Sequence, residues 1–417
     1  MTPREERGLV IAALCRLKKT ESDWHVPSQS GAEKIYRVSV EKQSCTCPDH
    51  QESGFKCKHL YAVEFTIKRE MDQDGNLVET KSMKFTEKVT YKRDWTAYNE
   101  SQHTEKHRLQ VLLSDLCSGI ADAPHKGVGR KPVPLADKLF AVCYKVYTTI
   151  SSRRFGSDLQ DAHTDGYLSR DIHPNKVNCF MEEDALTPYL KALIVRSSLP
   201  LRAVETEFAV DSSGFSVSKF IRWYDEKYGM TRSGRDWVKI HLATGVKTGV
   251  CTAAVIYDRD AGDGPILPEL INKTAENFTI KEVSGDKAYL SVENVETIFA
   301  AGGIPFIAPK SNTTGAAGGL FERMFRYYQY EQEKFMKHYH KRSNVESLFS
   351  AVKRKFGDGV RSRTPAAMVN ETYAKFVCNN LTAVILSQIE LGIEAEFWQD
   401  DVADENGERN ILRIGRR

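Results

Sequence analysis

The stretch Glu207–Val217, EFAVDSSGFSV, marks a change in the sequence from helical to strand-like patterning. Two further strand-like runs follow, DWVKIHLATGV over 236–246 and GVCTAAVIYD over 249–258. Predicted helices and strands then alternate: helices over 265–277 and 291–302, strands over 279–289 and 304–310. Three successive strands followed by alternating strands and helices are typical of a mixed sheet covered by helices. The sequence therefore predicts an α/β layered domain.

Two regions precede this domain. Residues 1–92 are predicted to form a small α+β unit, with a helix after Thr2, a strand over Lys34–Val40, a cysteine-rich loop and a helix from His59. Residues 93–200 carry apolar residues at helical spacing. Periodicity alone does not distinguish a DNA-binding helical region from a plain bundle. The predicted domains are therefore 1–92, 93–200 and 201–394, with a polar tail over 395–417.

Net charge does not select a function class for this chain, whereas apolar runs and cysteine count do indicate its location. Among 417 residues, 59 Lys and Arg oppose 56 Asp and Glu, so a nucleic-acid interpretation must come from local clustering rather than from net charge. No apolar run approaches the roughly 18 residues that a membrane span needs. Nine cysteines, three of them between positions 45 and 57, favour metal ligation in a reducing compartment over a disulfide framework. We expect a cytoplasmic protein.

The sequence CTCPDHQESGFKCKH predicts a zinc site. It places Cys45 and Cys47 in a C-x-C pair and, after nine intervening residues, Cys57 and His59 in a C-x-H pair. Two short pairs joined by a loop supply four soft ligands at tetrahedral corners, which is the arrangement of a closed structural site. His50 lies within the loop and is a less well spaced candidate for the fourth ligand. The cluster resembles the SWIM zinc finger, whose resemblance implies a recognition accessory without indicating its partner.

The stretch Tyr339–Gly357, YHKRSNVESLFSAVKRKFG, is predicted to be a helix with an apolar side. At 100° per residue, a narrow polar stripe carries Tyr339, Arg342, Glu346 and Lys353. If the helix is considered alone, an ordinary surface helix with an Arg342–Glu346 ion pair explains this pattern equally well.

The spacing of these four residues is more specific. It reproduces the Y-x2-R-x3-E-x6-K signature, and two upstream segments, AVDSSGF with Asp211 and VSGDKAYLS with Asp286, resemble further acidic motifs. In this order the three acids are separated by 74 and 59 intervening residues. Residues 185–385 thereby resemble the DDE transposases of bacterial and archaeal insertion sequences.

The resemblance implies an RNase H-like mixed sheet flanked by helices, in which Asp211, Asp286 and Glu346 are catalytic. They would hold two Mg²⁺ ions, for which Mn²⁺ can substitute, because hard cations take carboxylate oxygens and two ions stabilise the attacking and leaving oxygens of an in-line displacement. The implied reaction is cleavage at the element ends and attack of the freed 3′-OH on target DNA. The implied partners are both DNAs, with a homodimer assembled on paired ends.

Basic residues surround Glu346. Between positions 334 and 363, nine Lys and Arg oppose only Glu346 and Asp358, a density that suits contact with a DNA backbone. The candidate DNA contacts are Tyr339, Arg342, Lys353, Arg354 and Lys355.

Two alternatives stay open. One is a domesticated, non-catalytic DNA-binding protein, whose mark would be a missing acid, although all three acids are present. The other is a metal-dependent nuclease that cuts but does not join. Only 59 residues separate Asp286 from Glu346, which leaves room for a helix, a strand and a helix rather than for the large insertion that many relatives carry.

Overall fold

The computed structural model describes residues 3–15, 17–20, 22–28, 34–70, 94–122, 131–217, 237–257, 262–310 and 312–398. The chain divides into two compact units. Unit 1 takes its described residues from 1–90, 284–300 and 304–341. Unit 2 takes its described residues from 91–283, 301–303 and 342–417. Residues 71–93, which include the predicted boundary between the 1–92 and 93–200 domains, and most of the polar tail lie outside the described residues.

The strands and helices have the following bounds. The strands are β1 (Lys18–Lys19), β2 (Trp24–Pro27), β3 (Ile35–Ser39), β4 (Ser44–Cys45), β5 (Glu207–Ser216), β6 (Trp237–Gly245), β7 (Cys251–Ile256), β8 (Glu282–Gly285) and β9 (Ile304–Ile307). The helices are α1 (Pro3–Leu14), α2 (Pro48–Ser53), α3 (Lys58–Glu70), α4 (Trp95–Ser118), α5 (Leu135–Thr148), α6 (Ser152–Thr164), α7 (Pro174–Met181), α8 (Thr187–Ser198), α9 (Leu267–Ala275), α10 (Val292–Ala300), α11 (Gly319–Tyr330), α12 (Gln332–Tyr339), α13 (Ser343–Phe356) and α14 (Pro365–Leu391).

The N-terminal part of unit 1 is a small antiparallel sheet covered by two helices. Strands β1 to β4 pair in chain order, and β3 buries Tyr36 and Val38 while it exposes Ile35 and Arg37. This alternation is what one buried sheet face requires. Helix α1 packs closely on α3 at Gly8, where an added Cβ would lie 2.5 Å from the Cβ of Tyr61. Glycine is therefore needed for this helix contact.

The second part of unit 1 surrounds a separate apolar cluster. This cluster is formed by α10, β9, α11 and α12, and its members include Val295, Phe306, Met324, Phe335 and Tyr339. The segment between Asp286 and Glu346 thus contains one helix, one strand and two further helices, and not only the predicted helix, strand and helix. The additional helical pair, α11 and α12, separates β9 from α13.

Unit 2 is built on an antiparallel β5–β6–β7 meander and on the long helix α14. Helix α14 begins with Pro365 at its first turn and ends at Leu391, and the following Gly392 has the left-handed backbone (φ 65°) that suits a glycine C-cap. Polar residues buried in this helix are hydrogen-bonded. The side-chain amide of Asn380 donates to the carbonyls of Ile194 and Cys251. Helix α14 therefore joins the helical region to the sheet at little cost in unpaired polar groups.

A second buried polar contact of α14 holds the segment after α13. The Lys375 ammonium donates to the carbonyls of Gly357 and Gly359 at 3.1 and 2.6 Å, and burial lowers the pKa of Lys375 to about 8. The backbone of Val360 in turn donates to Ser216 at the end of β5. These contacts position the chain immediately after the helix that carries Glu346.

The larger sheet has the strand order β7-β6-β5-β8-β9. The N–H of Lys281, just before β8, donates to the carbonyl of Thr206, just before β5. The predicted α/β class, with a mixed sheet, helices and a small zinc-ligand region at the N-terminus, is confirmed. Among the helices in the described ranges, none is long and apolar enough to cross a membrane.

One predicted element differs. The stretch Tyr339–Gly357 is not a single helix, because α12 ends at Tyr339, a 3-10 turn covers His340–Arg342, and α13 begins at Ser343. Tyr339 therefore belongs to a different helix from Glu346, and the predicted polar stripe is continuous only within α13. The prediction placed these residues at 100° intervals around a single helix axis, but the 3-10 turn divides them between two helices.

Candidate active site and metal centre

The four predicted zinc ligands come together in unit 1. Cys45 ends β4, Cys47 caps the start of α2, and Cys57 and His59 lie at the start of α3. Their ligand atoms all lie within 4.8 Å of one another, and all four residues are buried. Ligands at this spacing along the chain come together because the end of β4 and the starts of α2 and α3 meet at one point.

The distances between the ligand atoms fit a tetrahedral zinc ion. The Nδ1 atom of His59 is 3.8 Å from the sulfur of Cys45 and 3.9 Å from that of Cys57. Ideal Zn–S and Zn–N bonds place tetrahedral ligand atoms about 3.5–3.8 Å apart. Two backbone N–H groups also point at sulfur atoms, from Cys47 to Cys45 and from His50 to Cys47, each at 3.4 Å. Such donors stabilise thiolates beside a metal ion.

His50 does not belong to the group of residues whose ligand atoms come together. Its Nδ1 atom is hydrogen-bonded to the carbonyl of Phe55 at 2.8 Å, across the ligand loop. The ring of His59 instead packs against Tyr36, with 4.7 Å between ring centroids, and faces the sulfurs. The hydrogen bond of His50 therefore shapes the loop, and His59 completes the site.

The three crowded thiols shift one another's pKa values in different directions. A hydrogen bond with Cys57, followed by burial, raises the pKa of Cys45. The same hydrogen bond lowers the pKa of Cys57 to about 3. Three thiolates this close repel one another, so a bound dication is what allows all three to lose their protons. Zinc supplies that charge, and these residues fit it.

Two of the predicted catalytic acids share one cation in unit 2. Asp211 lies on β5 and Glu346 in the first turn of α13. The guanidinium of Arg342 lies between them, with Nη2 3.0 Å from Glu346 Oε1 and Nη1 4.0 Å from Asp211 Oδ2. The other oxygen of Asp211 accepts from the backbone of Ser212 at 2.8 Å. Two carboxylates that face one position favour a positive charge there, and the guanidinium of Arg342 provides one.

Asp286 lies in unit 1. It directly follows β8 and precedes the 3-10 turn Lys287–Tyr289, and its carbonyl accepts from the backbone of Tyr289 at 2.9 Å. The predicted strand over 279–289 is thus shorter than expected, because β8 ends at Gly285 and a 3-10 turn follows Asp286. That all three acids bind common metal ions stays a prediction.

The predicted DNA contacts have different surroundings. Lys353 donates to the hydroxyl of Ser213 at 2.7 Å, and burial lowers its pKa. Ser213 is two residues beyond Asp211, so both side chains lie on the face of β5 that α13 covers. Lys353 therefore fixes α13 to the strand of Asp211 as well as carrying a charge next to it.

The remaining candidates for DNA contact differ in whether their side chains are engaged within the protein or exposed. Lys355 pairs at 2.6 Å with the mostly buried Glu105, which also accepts from Tyr147. Tyr339 is buried in the apolar cluster of unit 1. Arg354 is exposed on α13. Of the five candidates, Arg354 and Lys355 are exposed, and the ammonium of Lys355 is engaged by Glu105.

Sequence reasoning missed a polar cluster on the opposite face of β5. Asp263 pairs with Lys239 at 2.7 Å, accepts from the hydroxyl of Ser212 at 3.3 Å, and lies 3.7 Å from Nδ1 of His241. Burial lowers the pKa of His241 to about 4, so this ring is neutral at pH 7. The alternation of Lys239 and His241 along β6 was the available signal. The cluster ties the residue next to Asp211 to the start of α9.

Two known families match this chain, one over the region of the candidate acids and one over the region of the zinc ligands. Residues 202–381 match the family model described as the transposase DDE domain, a range that includes Asp211, Asp286 and Glu346. Residues 36–68 match the SWIM zinc finger and include all four zinc ligands. No curated protein matches the chain. The family matches support a transposase role and a bound zinc ion.

Proposed function

We propose that this chain, which carries a transposase DDE domain and a SWIM zinc finger, cleaves the ends of a DNA element and joins the 3′-OH to target DNA. Asp211, Asp286 and Glu346 are the catalytic residues of this proposal. The observation that carries it is the Arg342 guanidinium between Asp211 and Glu346, at 4.0 and 3.0 Å. Side chains from β5 and α13 there face one position that favours positive charge.

The donor set suits Mg²⁺. Carboxylate oxygens are hard ligands, and the Arg342 guanidinium lies at the position that two of them share. When bound, two Mg²⁺ ions, or Mn²⁺ in their place, would stabilise charge on the attacking and leaving oxygens of the phosphodiester. Asp211, Asp286 and Glu346 would hold these ions. Arg342, released from the carboxylates, would be available to a DNA phosphate.

The DNA contacts of the proposal lie on and before α13. Arg342, Lys353 and Arg354 carry charge toward phosphates, Lys355 is shared with Glu105, and Tyr339 is buried in the apolar cluster of unit 1. Phosphate contacts of this kind position a duplex without reading its sequence. The substrate class is therefore DNA, recognised at its backbone by this surface.

Replacement of the exposed Arg354 by Ala tests the DNA surface. We expect the affinity for duplex DNA to fall, and the slope of log K against log salt to become shallower by about one contact. Fluorescence anisotropy across a salt series measures both quantities. Lys273→Ala is the matched control, since it removes one charge from α9, which packs on β7 rather than on β5. Equal losses in the two variants would contradict a specific role for Arg354.

A strand-transfer assay with precleaved element ends tests the proposed reaction. A transposase joins the 3′-OH ends to a target plasmid when Mg²⁺ is present. A nuclease cuts uncleaved ends but forms no joined product, and a domesticated DNA-binding protein retains the ends without doing either. Short inverted repeats next to the coding region supply the substrate. Cleavage without joining, or binding alone, would replace the proposal with the corresponding alternative.

Two further parts of the proposal concern assembly and location. Joining two ends requires both to be held at once, so we include a homodimer assembled on paired ends. The reduced thiols of the zinc centre agree with a cytoplasmic location. Analytical ultracentrifugation with and without paired-end DNA tests the dimer.

A further inference from the structure

The N-terminal part of unit 1, residues 3–70 with β1 to β4 and the four zinc ligands, is called the zinc module below. It shares its apolar core with helix α11. Tyr330, the last residue of α11, is buried in the same cluster as Cys45, Cys47 and Cys57, together with Trp24 and Leu60 of the module. All of these residues belong to unit 1. The side chain of an α11 residue is thus part of the core that surrounds the zinc ligands.

Polar contacts hold Tyr330 and its neighbours in this position. The hydroxyl of Tyr330 accepts from Arg326 at 3.0 Å, and Arg326 is in turn paired with Glu322. The side-chain amide of Gln329 donates to the backbone carbonyl of Ser28, which follows β2 of the module. Lys18 of β1 and Glu333 of α12 form an exposed ion pair at 3.3 Å, which contributes little. The contact therefore depends on the buried Tyr330 and Gln329.

The pattern of α11 explains why it needs this cover. Phe321, Met324 and Tyr328 form one apolar side, which packs in the cluster with Phe306 and Phe335. Tyr330 is nine residues after Phe321, so it points about 180° away around the helix. Without the zinc module this second apolar position would be exposed to water. The zinc module covers Tyr330, which is buried in the apolar cluster that includes the zinc ligands.

We propose that the binding partner of this zinc finger is the α11–α12 pair of its own chain, and that zinc binding stabilises this pair. The occupant is a defined segment, Gly319–Tyr339, which leads through three residues into α13. Loss of zinc would release the cysteine side chains of the cluster in which Tyr330 is buried. The inference does not depend on the proposed DNA chemistry, because it concerns only contacts within unit 1.

The first test is hydrogen exchange of the full chain, with zinc bound and after extraction by a chelator. We expect amide exchange in α11 and α12 to become about tenfold faster after extraction, as for coupled residues in contact. Helix α14 is the internal reference, and its exchange should not change. Unchanged exchange in α11 after zinc loss would overturn the proposal.

The second test runs in the other direction, from the helix to the metal. Tyr330→Ala should make zinc extraction by the chelator several-fold faster, because contacting residues are energetically coupled in both directions. Tyr327→Ala is the matched control, since Tyr327 lies on the same helix but packs against Phe306 and Phe335. Equal acceleration by both variants would mean that any loosening of α11 has this effect, and would also overturn the proposal.

Discussion

The variant Asp286→Asn is expected to lose Mg²⁺-dependent cleavage while it retains DNA binding. An amide offers a neutral oxygen in place of a charged ligand, and metal stabilisation of the transition state is worth several kcal/mol. At 1.36 kcal/mol per tenfold in rate, cleavage should fall by roughly 10³-fold or more. A plasmid carrying the element ends measures cleavage, and anisotropy measures DNA binding.

The control for this variant is a nearby acid without a proposed catalytic role. Glu293, on α10 in the same unit as Asp286, is exposed, and Glu293→Gln should leave the cleavage rate unchanged. Glu346→Gln, on α13, should reproduce the loss seen with Asp286→Asn. Undiminished cleavage by Asp286→Asn would reject its assignment as a catalytic residue, whatever the behaviour of the other variants.

The second large effect is expected at the zinc centre. Cys57→Ser replaces a thiolate with a hydroxyl that binds zinc weakly, so the zinc content should fall from one ion per chain to none. Structural zinc sites contribute about 10–16 kcal/mol of binding free energy, more than a module of this size can replace from its small core. We expect residues 34–70 to unfold. Native mass spectrometry measures the zinc content, and limited proteolysis measures the unfolding.

Cys179→Ser separates the loss of zinc from the loss of any thiol. Cys179 is an exposed free cysteine on α7 in unit 2, outside the zinc centre. This variant should keep one zinc ion and the proteolysis pattern of the parent chain. Retention of zinc by Cys57→Ser would show that the ligand set differs from Cys45, Cys47, Cys57 and His59.

Residue spacing predicted the local parts of both sites. The zinc ligands come in pairs that are two residues apart, so a strand end and a helix start suffice to aim them, and the sequence reveals both. Asp286 directly follows β8, whereas Asp211 was expected where its strand ends but lies in the middle of β5, which continues to Ser216. Patterns of this kind are set by short-range backbone geometry and therefore appear directly in the sequence.

Contacts between distant residues were decided only by the tertiary structure. The position of Arg342 next to Asp211, the pairing of Lys355 with Glu105, and the burial of Tyr330 beside the zinc ligands each join segments that are more than a hundred residues apart. A local sequence pattern does not show which charged or aromatic side chains a distant segment will bury. The division of the stretch 339–357 by a 3-10 turn was likewise hidden, because helical periodicity continues across it.

The amino-acid sequence by itself therefore determined the α/β class, the zinc ligands and the identity of the candidate acids, because each depends on residue types at short, regular spacing. Tertiary packing determined which cation shares a position with Asp211 and Glu346, and which helix covers the zinc module. Those outcomes depend on the burial of side chains from separate segments, and burial is settled only when the whole chain has folded.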